Sequence, residues 1–215
     1  MVYLPPVFTE ARPEVLIAHI ERYDFGLLVS HGPAGLMASH IPFLIERSRA
    51  ESGAEELHLL GHLARPNPQV AEFADGGEVL AIFSGPHAYV SPGWYASRPA
   101  VPTWNYVDVH AYGALRLVED DEWLRRFLHK LSARHEAGRA APWRIADQPA
   151  AYIAGMIKGI IGLDIAVTRL EGKYKLSQNR PTADRPRIVA ALEAEGRADA
   201  LALARVMAER EPGLA

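Results

Sequence analysis

The chain has 215 residues, 49% of them hydrophobic and 23% charged, with 23 basic against 26 acidic side chains and a net charge of −3. That balance excludes a chain disordered along its length, and no apolar run approaches the roughly 20 residues that span a bilayer. The absence of cysteine excludes disulfides, thiolate metal sites, iron–sulfur clusters and thiol nucleophiles, and the opening six residues lack the regions of a signal peptide, so a cytoplasmic protein is expected.

The first ten residues read as extended, because Pro5-Pro6 blocks a helix. A helix is predicted over 9–24, with Pro13 near its first turn and Val15, Leu16, Ile20 and Tyr23 at helical spacing. Strands over 25–30, 36–46 and 56–63 follow, with a turn at 31–35 and a polar loop at 48–53. Asn67-Pro68 opens a short helix to about Ala74, closed by Gly76-Gly77. Two strands are expected over 79–83 and 88–91, then a long one over 105–118. Residues 119–136 give the clearest helix, acidic at its start, with Trp123, Leu124, Phe127, Leu128 and Leu131 on one face. A loop to Pro149, a short helix to about Lys158, a strand over 160–175 and helices over 184–210 with a break near Gly196 complete the pattern.

Consecutive strands joined by short turns argue for an α+β fold, an antiparallel β-barrel with peripheral helices. No Gly-x-Gly-x-x-Gly or Gly-Lys-Ser/Thr loop is present, which excludes Rossmann and P-loop chemistry.

Four segments carry polar groups where a barrel needs turns or a binding mouth. Ser39-His40-Ile41-Pro42-Phe43 holds a proline inside a strand, which marks an edge whose free backbone groups a ligand can use. In Gly61-His62-Leu63-Ala64-Arg65-Pro66-Asn67-Pro68 a strand ends, an arginine follows and a helix begins, an arrangement suited to phosphate. The runs from Phe83 to Tyr95 and from Val101 to Tyr106 mix aromatic rings with amides and hydroxyls, as a pocket for a flat ring requires. A further donor-rich turn runs from Gly172 to Pro181.

The nine histidines lack metal-ligand spacing, so a metal site would have to be assembled in space from His40, His62, His87 and His110. No Gly-x-Ser-x-Gly elbow supports a serine hydrolase. Residues 184–211 hold five arginines against six acids, a poor charge balance for duplex binding.

In their order along the chain, Met1-Val2-Tyr3-Leu4-Pro5, His40-Ile41-Pro42-Phe43, Gly61–Pro68, Phe83–Pro92, Val101–Tyr106 and Gly172–Pro181 together resemble the PaiB-type FMN-binding negative transcriptional regulators. The resemblance covers the chain to about residue 185. It implies a split β-barrel flavoprotein domain over 1–183 that binds FMN at a homodimer interface, with a helical appendage over 184–215. By the same resemblance, the ring edge falls on Ser39, His40, Ile41 and Pro42. The phosphate falls on Arg65 and Asn67, with His62 and Ala64 lining the approach. Trp104, Asn105 and Tyr106 would come from the second subunit, with Lys175 and Gln178 beside them. The implied function is a dimeric FMN-binding repressor acting on DNA or through a protein partner, with no membrane role. The terminal helices lack a helix-turn-helix pattern with a basic second helix. The alternative is a flavin-dependent oxidoreductase, similar to flavin reductases and pyridoxamine-phosphate oxidases, with His40, His62 or Tyr106 as proton donor.

Overall fold

The computed structural model describes residues 2–33, 35–49, 53, 55–73 and 77–211. Its elements, in chain order, are β1 (Thr9–Glu10), α1 (Pro13–Arg22), β2 (Phe25–Gly32), β3 (Gly35–Pro42), β4 (Leu44–Arg49), β5 (Glu55–Ala64), β6 (Glu78–Val90) and β7 (Thr103–Val118), then α2 (Asp121–Glu136), α3 (Ala150–Ile157), β8 (Ile160–Lys175), α4 (Arg185–Glu195) and α5 (Ala198–Arg210). Short 3-10 turns include Pro68–Phe73 and Ile145–Asp147.

The strands form one antiparallel sheet in the order β3-β2-β6-β7-β8-β5-β4, with β1 paired to β8. β3 and β4 stand at opposite ends of that order, yet Phe43 alone separates them in the chain. The sheet therefore curls until its two ends meet at this residue, which makes it an antiparallel split barrel. Pro42, with no N–H to give a ladder, ends β3. The Phe43 N–H leaves the strand to donate to the Asp24 carbonyl at 2.8 Å, and its ring packs edge-on to Phe83 at 5.3 Å.

The expected strand over 36–46 is thus two strands. The expected pair over 79–83 and 88–91 is instead one, β6, because its ladder with β2 covers Leu80–Ile82 and leaves Pro86 beyond the rungs it would break. α1 starts at Pro13, not at residue 9, since 9–10 pair with β8. β4 runs into the expected loop over 48–53, of which residues 50–52 lie outside the described residues. Ala34 in the turn over 31–35, Ala74 and Gly76 at the end of the short helix, Met1 of the opening motif and residues 212–215 also lie outside them.

The chain divides into two compact units. One comprises Ile20–Phe83 and Ala111–Leu170, the other Met1–His19, Ser84–His110 and Glu171–Ala215, and β6, β7 and β8 contribute residues to both. In the first, Leu28, Phe43, Leu59, Phe83, Leu163 and Ile165 are fully buried, and α2 lies on β4 and β5, its Phe127 and Leu131 against Leu44 and Leu60. The Asp120 carboxylate accepts from the Trp123 N–H at 2.9 Å to cap α2, and acids at the start and bases at the end match its dipole. Gly162 on β8 lets this helix sit close, since a Cβ there would lie 2.5 Å from the Trp123 ring. In the second unit α4 packs on α5, Ile188, Leu192 and Leu203 are fully buried, and Gly196 at φ 66° closes α4 in a left-handed cap. No helix among the described residues is long and apolar enough to cross a membrane.

Candidate flavin site

β3 is an edge strand whose ladder partner is β2, paired as Leu28 with Ser39 and Leu27 with His40. An edge leaves every second backbone N–H and C=O open to another group. Alternation sends neighbouring side chains to opposite faces. Ser39 is half-buried on the inner side and Ile41 is buried, its Cδ1 within 3.0 Å of where a Cβ on Gly61 would stand. His40 is exposed on the outer side and stacks on Phe25, with ring centroids 6.0 Å apart and planes 24° apart. Pro42 is half-buried at the strand end.

The turn after β5 is held from both sides. The Arg65 N–H donates to the Gly159 carbonyl and the Asn67 N–H to the Ala64 carbonyl, each at 2.9 Å. The Asn67 side chain accepts from the Gln69 N–H at 2.9 Å and donates to the Ser39 hydroxyl at 3.0 Å. Gln69, fully buried, donates its amide to the Leu28 carbonyl at 3.2 Å and the Ser30 hydroxyl at 3.0 Å, which locks the turn onto β2. The Arg65 guanidinium stands 3.6 Å from the well-exposed Glu119 carboxylate, a loose and screened pairing. The loosely paired Arg65 guanidinium and the Asn67 amide on the turn, with the Ser39 hydroxyl on β3, are donor types that a phosphate monoester takes.

His62 sits elsewhere. It lies with Leu60 on the face of β5 beneath α2, its ring edge-on to Phe127 at 5.7 Å. Its Nδ1 is buried with no hydrogen-bond partner among the described residues, and burial pushes its pKa down, which favours the neutral ring. Ala64 is exposed at the end of β5.

The remaining candidates belong to the other unit. Trp104 is half-exposed and meets His87 at 6.2 Å and Tyr89 at 6.1 Å. Tyr106 lies over the Lys173 ammonium at 5.4 Å, and Lys173 donates to the Tyr3 carbonyl at 2.7 Å. Lys175 donates to the Thr103 hydroxyl, and burial, with Lys173 nearby, pulls its pKa down. Asn105 points the opposite way. It is fully buried, donates to Ser177 Oγ at 2.9 Å and accepts from the same hydroxyl at 3.1 Å. Gln178 turns onto its own loop, accepting from the Leu176 N–H at 2.7 Å and donating to the Tyr174 carbonyl at 2.5 Å. Tyr89 and Lys173 were not among the residues singled out from sequence, although the donor- and ring-rich segments contain them, and His87 was weighed there only as a metal ligand.

The sequence model of the family described as "Putative FMN-binding domain" matches residues 2–169. The "Protease synthase and sporulation protein PAI 2" of Bacillus subtilis is 32% identical over 209 residues, covering 97% of this chain and 98% of that protein. An uncharacterized protein of Emericella nidulans is 31% identical over 244 residues, covering 97% of both. Two solved structures share the fold. They are the FAD and heme binding protein from Mycobacterium smegmatis (TM-score 0.55, 16% identity, 78% of this chain and 73% of that one) and the flavocytochrome Anf3 from Azotobacter vinelandii (TM-score 0.56, 12% identity, 78% and 69%).

Proposed function

Because the chain belongs to the FMN-binding domain family, we propose that it is a cytoplasmic, homodimeric FMN-binding protein that represses transcription through a protein partner. The observation that supports the flavin reading is the hydrogen bond from Asn67 to Ser39, which ties the turn that carries Arg65 to an open strand edge. In this reading Arg65, Asn67 and Ser39 hold the phosphate and the edge of β3 from Ser39 to Pro42 lies along the ring. Ala64, whose carbonyl accepts from the Asn67 N–H, supports that turn, His62 stays under α2 away from it, and Trp104, Tyr106 and Lys175 contact the ring from a second copy. Asn105 and Gln178, whose amides bond within their own unit, hold that second surface in shape. When bound, FMN supplies electron and hydride transfer, while the chain's own groups bind and orient it.

Self-association is supported by the exposed outer side of β2 and β3, where Phe25 and Leu36 are 64% and 75% exposed. Regulation is supported by the name of the Bacillus subtilis relative. A protein partner is favoured over duplex DNA by the net charge of −3 and the balanced helical C-terminus. The test is an FMN titration followed by flavin fluorescence and sedimentation. Saturation at one FMN per chain of a dimer is the expected result, and a folded monomer that ignores FMN would overturn the reading. NADH-driven turnover above the free-flavin background would move the function to the oxidoreductase class.

A further inference from the structure

α2 carries Arg125, Arg126, His129 and Lys130, and helical spacing sets Arg125 with His129 and Arg126 with Lys130 in adjacent stripes. Across from them, the turn Ile145–Asp147 and the start of α3 supply Ile145, Ala146 and Ile153. Between the two lies a cavity of about 460 Å³, within the size range of small-molecule sites. Its lining holds three permanent cations, an apolar floor and no carboxylate.

The cations are not equally matched. Lys130 donates to Glu46 at 2.7 Å, and the exposed Arg126 stands 3.6 Å from Glu122 one turn back, a loose pair whose cation keeps its water. Arg125 is half-buried against the cavity and has no hydrogen bond or ion pair among the described residues. A half-buried guanidinium gives up part of its hydration, and an anion with two oxygens in one plane restores it. Arg125 alone among the cations of the lining is half-buried and without a partner among the described residues, and one such charge calls for a monoanion. A polyphosphate or a nucleic-acid backbone would need several half-buried charges along a track, and opposite Arg125 the lining offers Ile145, Ile153 and Ala146 with Gln148 as its one amide.

We propose that the cavity between α2 and α3 binds an apolar monocarboxylate, with its head on the Arg125 guanidinium and its body on Ile145, Ile153 and Ala146. This site is separate from the Arg65–Asn67 turn and uses none of its residues. It therefore adds a second small-molecule input to the protein, independent of flavin binding.

The experiment is calorimetric titration of the full chain with octanoate, 1-octanol and acetate, with 2-naphthoate as a second carboxylate. Octanoate is expected to saturate at one per chain, and octanol and acetate, each carrying half of the chemistry, to bind at least about tenfold more weakly. Comparison of octanoate with naphthoate distinguishes a linear from an aromatic body. Arg125→Gln should weaken octanoate about tenfold and leave octanol unchanged. Ala146→Trp, at an exposed position, should fill the cavity and abolish octanoate binding while the FMN titration stays the same. Octanoate binding no tighter than octanol, or undiminished in Arg125→Gln, would overturn the proposal, as would no binding at all. Loss of FMN binding with octanoate binding retained would sink the flavin reading and leave this one standing.

Discussion

The Asn67 side-chain amide donates to the Ser39 hydroxyl at 3.0 Å, joining the turn after β5 to the edge strand β3 across 28 residues of sequence. One side chain thereby fixes the distance between a group suited to phosphate and an edge suited to a flat ring. It also caps the following 3-10 turn by accepting from the Gln69 N–H.

Replacing Asn67 with Ala removes both bonds. The expected cost is about 1–2 kcal/mol of stability, together with an FMN affinity about tenfold weaker. Urea unfolding and flavin fluorescence titration of the same preparation read the two effects. A stability loss with unchanged FMN affinity would make Asn67 a capping residue only.

Asn105 differs in kind, because its amide and the Ser177 hydroxyl satisfy each other in a buried setting, and Ser177 is held at φ 65°. Asn105→Ala leaves that hydroxyl unpaired and the turn unpinned, at a cost of about 2–3 kcal/mol. The flavin stoichiometry of the remaining folded protein should not change. Denaturant midpoints at fixed FMN separate this outcome from a direct role in the site.

Glu10 supplies a pH signature. The Arg12 guanidinium, donating at 3.0 and 2.7 Å, holds the buried Glu10 carboxyl down at about 2, with Arg210 at 2.6 Å adding to it against the opposing effect of burial. A folded pKa below the unfolded value stabilises the fold above about pH 4.5 and loses that contribution as pH falls through about 2. Solvent around the exposed Arg12 weakens the pair, so the contribution at neutral pH is about 2 kcal/mol. In urea midpoints taken from pH 6 to pH 2, the gap between the wild type and Glu10→Gln should be constant above pH 5 and close toward pH 2. A gap that does not depend on pH would contradict the assignment.

Much of the barrel was legible because its strands announce themselves. The bounds of β8, 160–175, follow from its apolar pattern between Gly159 and the polar turn beyond Lys175. The flavin family was legible from motifs that keep their order along the chain. The break at Phe43 was not, because Pro42 reads equally as an edge residue and as a strand end, and only closure of the sheet decides between them. β6 was split in two because Gly85-Pro86 mimics a turn, and the reach of its neighbour β2 is a tertiary fact. His62 and Asn105 show the same limit at the site. A period of two says that neighbours face opposite ways, but α2 over one side of β5 and Ser177 beside β7 come from distant sequence. The tie between Asn67 and Ser39 joins two motifs that the sequence marks separately.

The central claim is that the turn after β5 takes the phosphate of FMN. Its most direct test is to titrate the wild type and Arg65→Ala with FMN and with riboflavin, which has the same ring and no phosphate. The account predicts that the wild type prefers FMN by about tenfold or more, and that Arg65→Ala loses most of this preference with riboflavin affinity unchanged. Equal affinity of the wild type for both flavins, or an equal loss for both in Arg65→Ala, would contradict it.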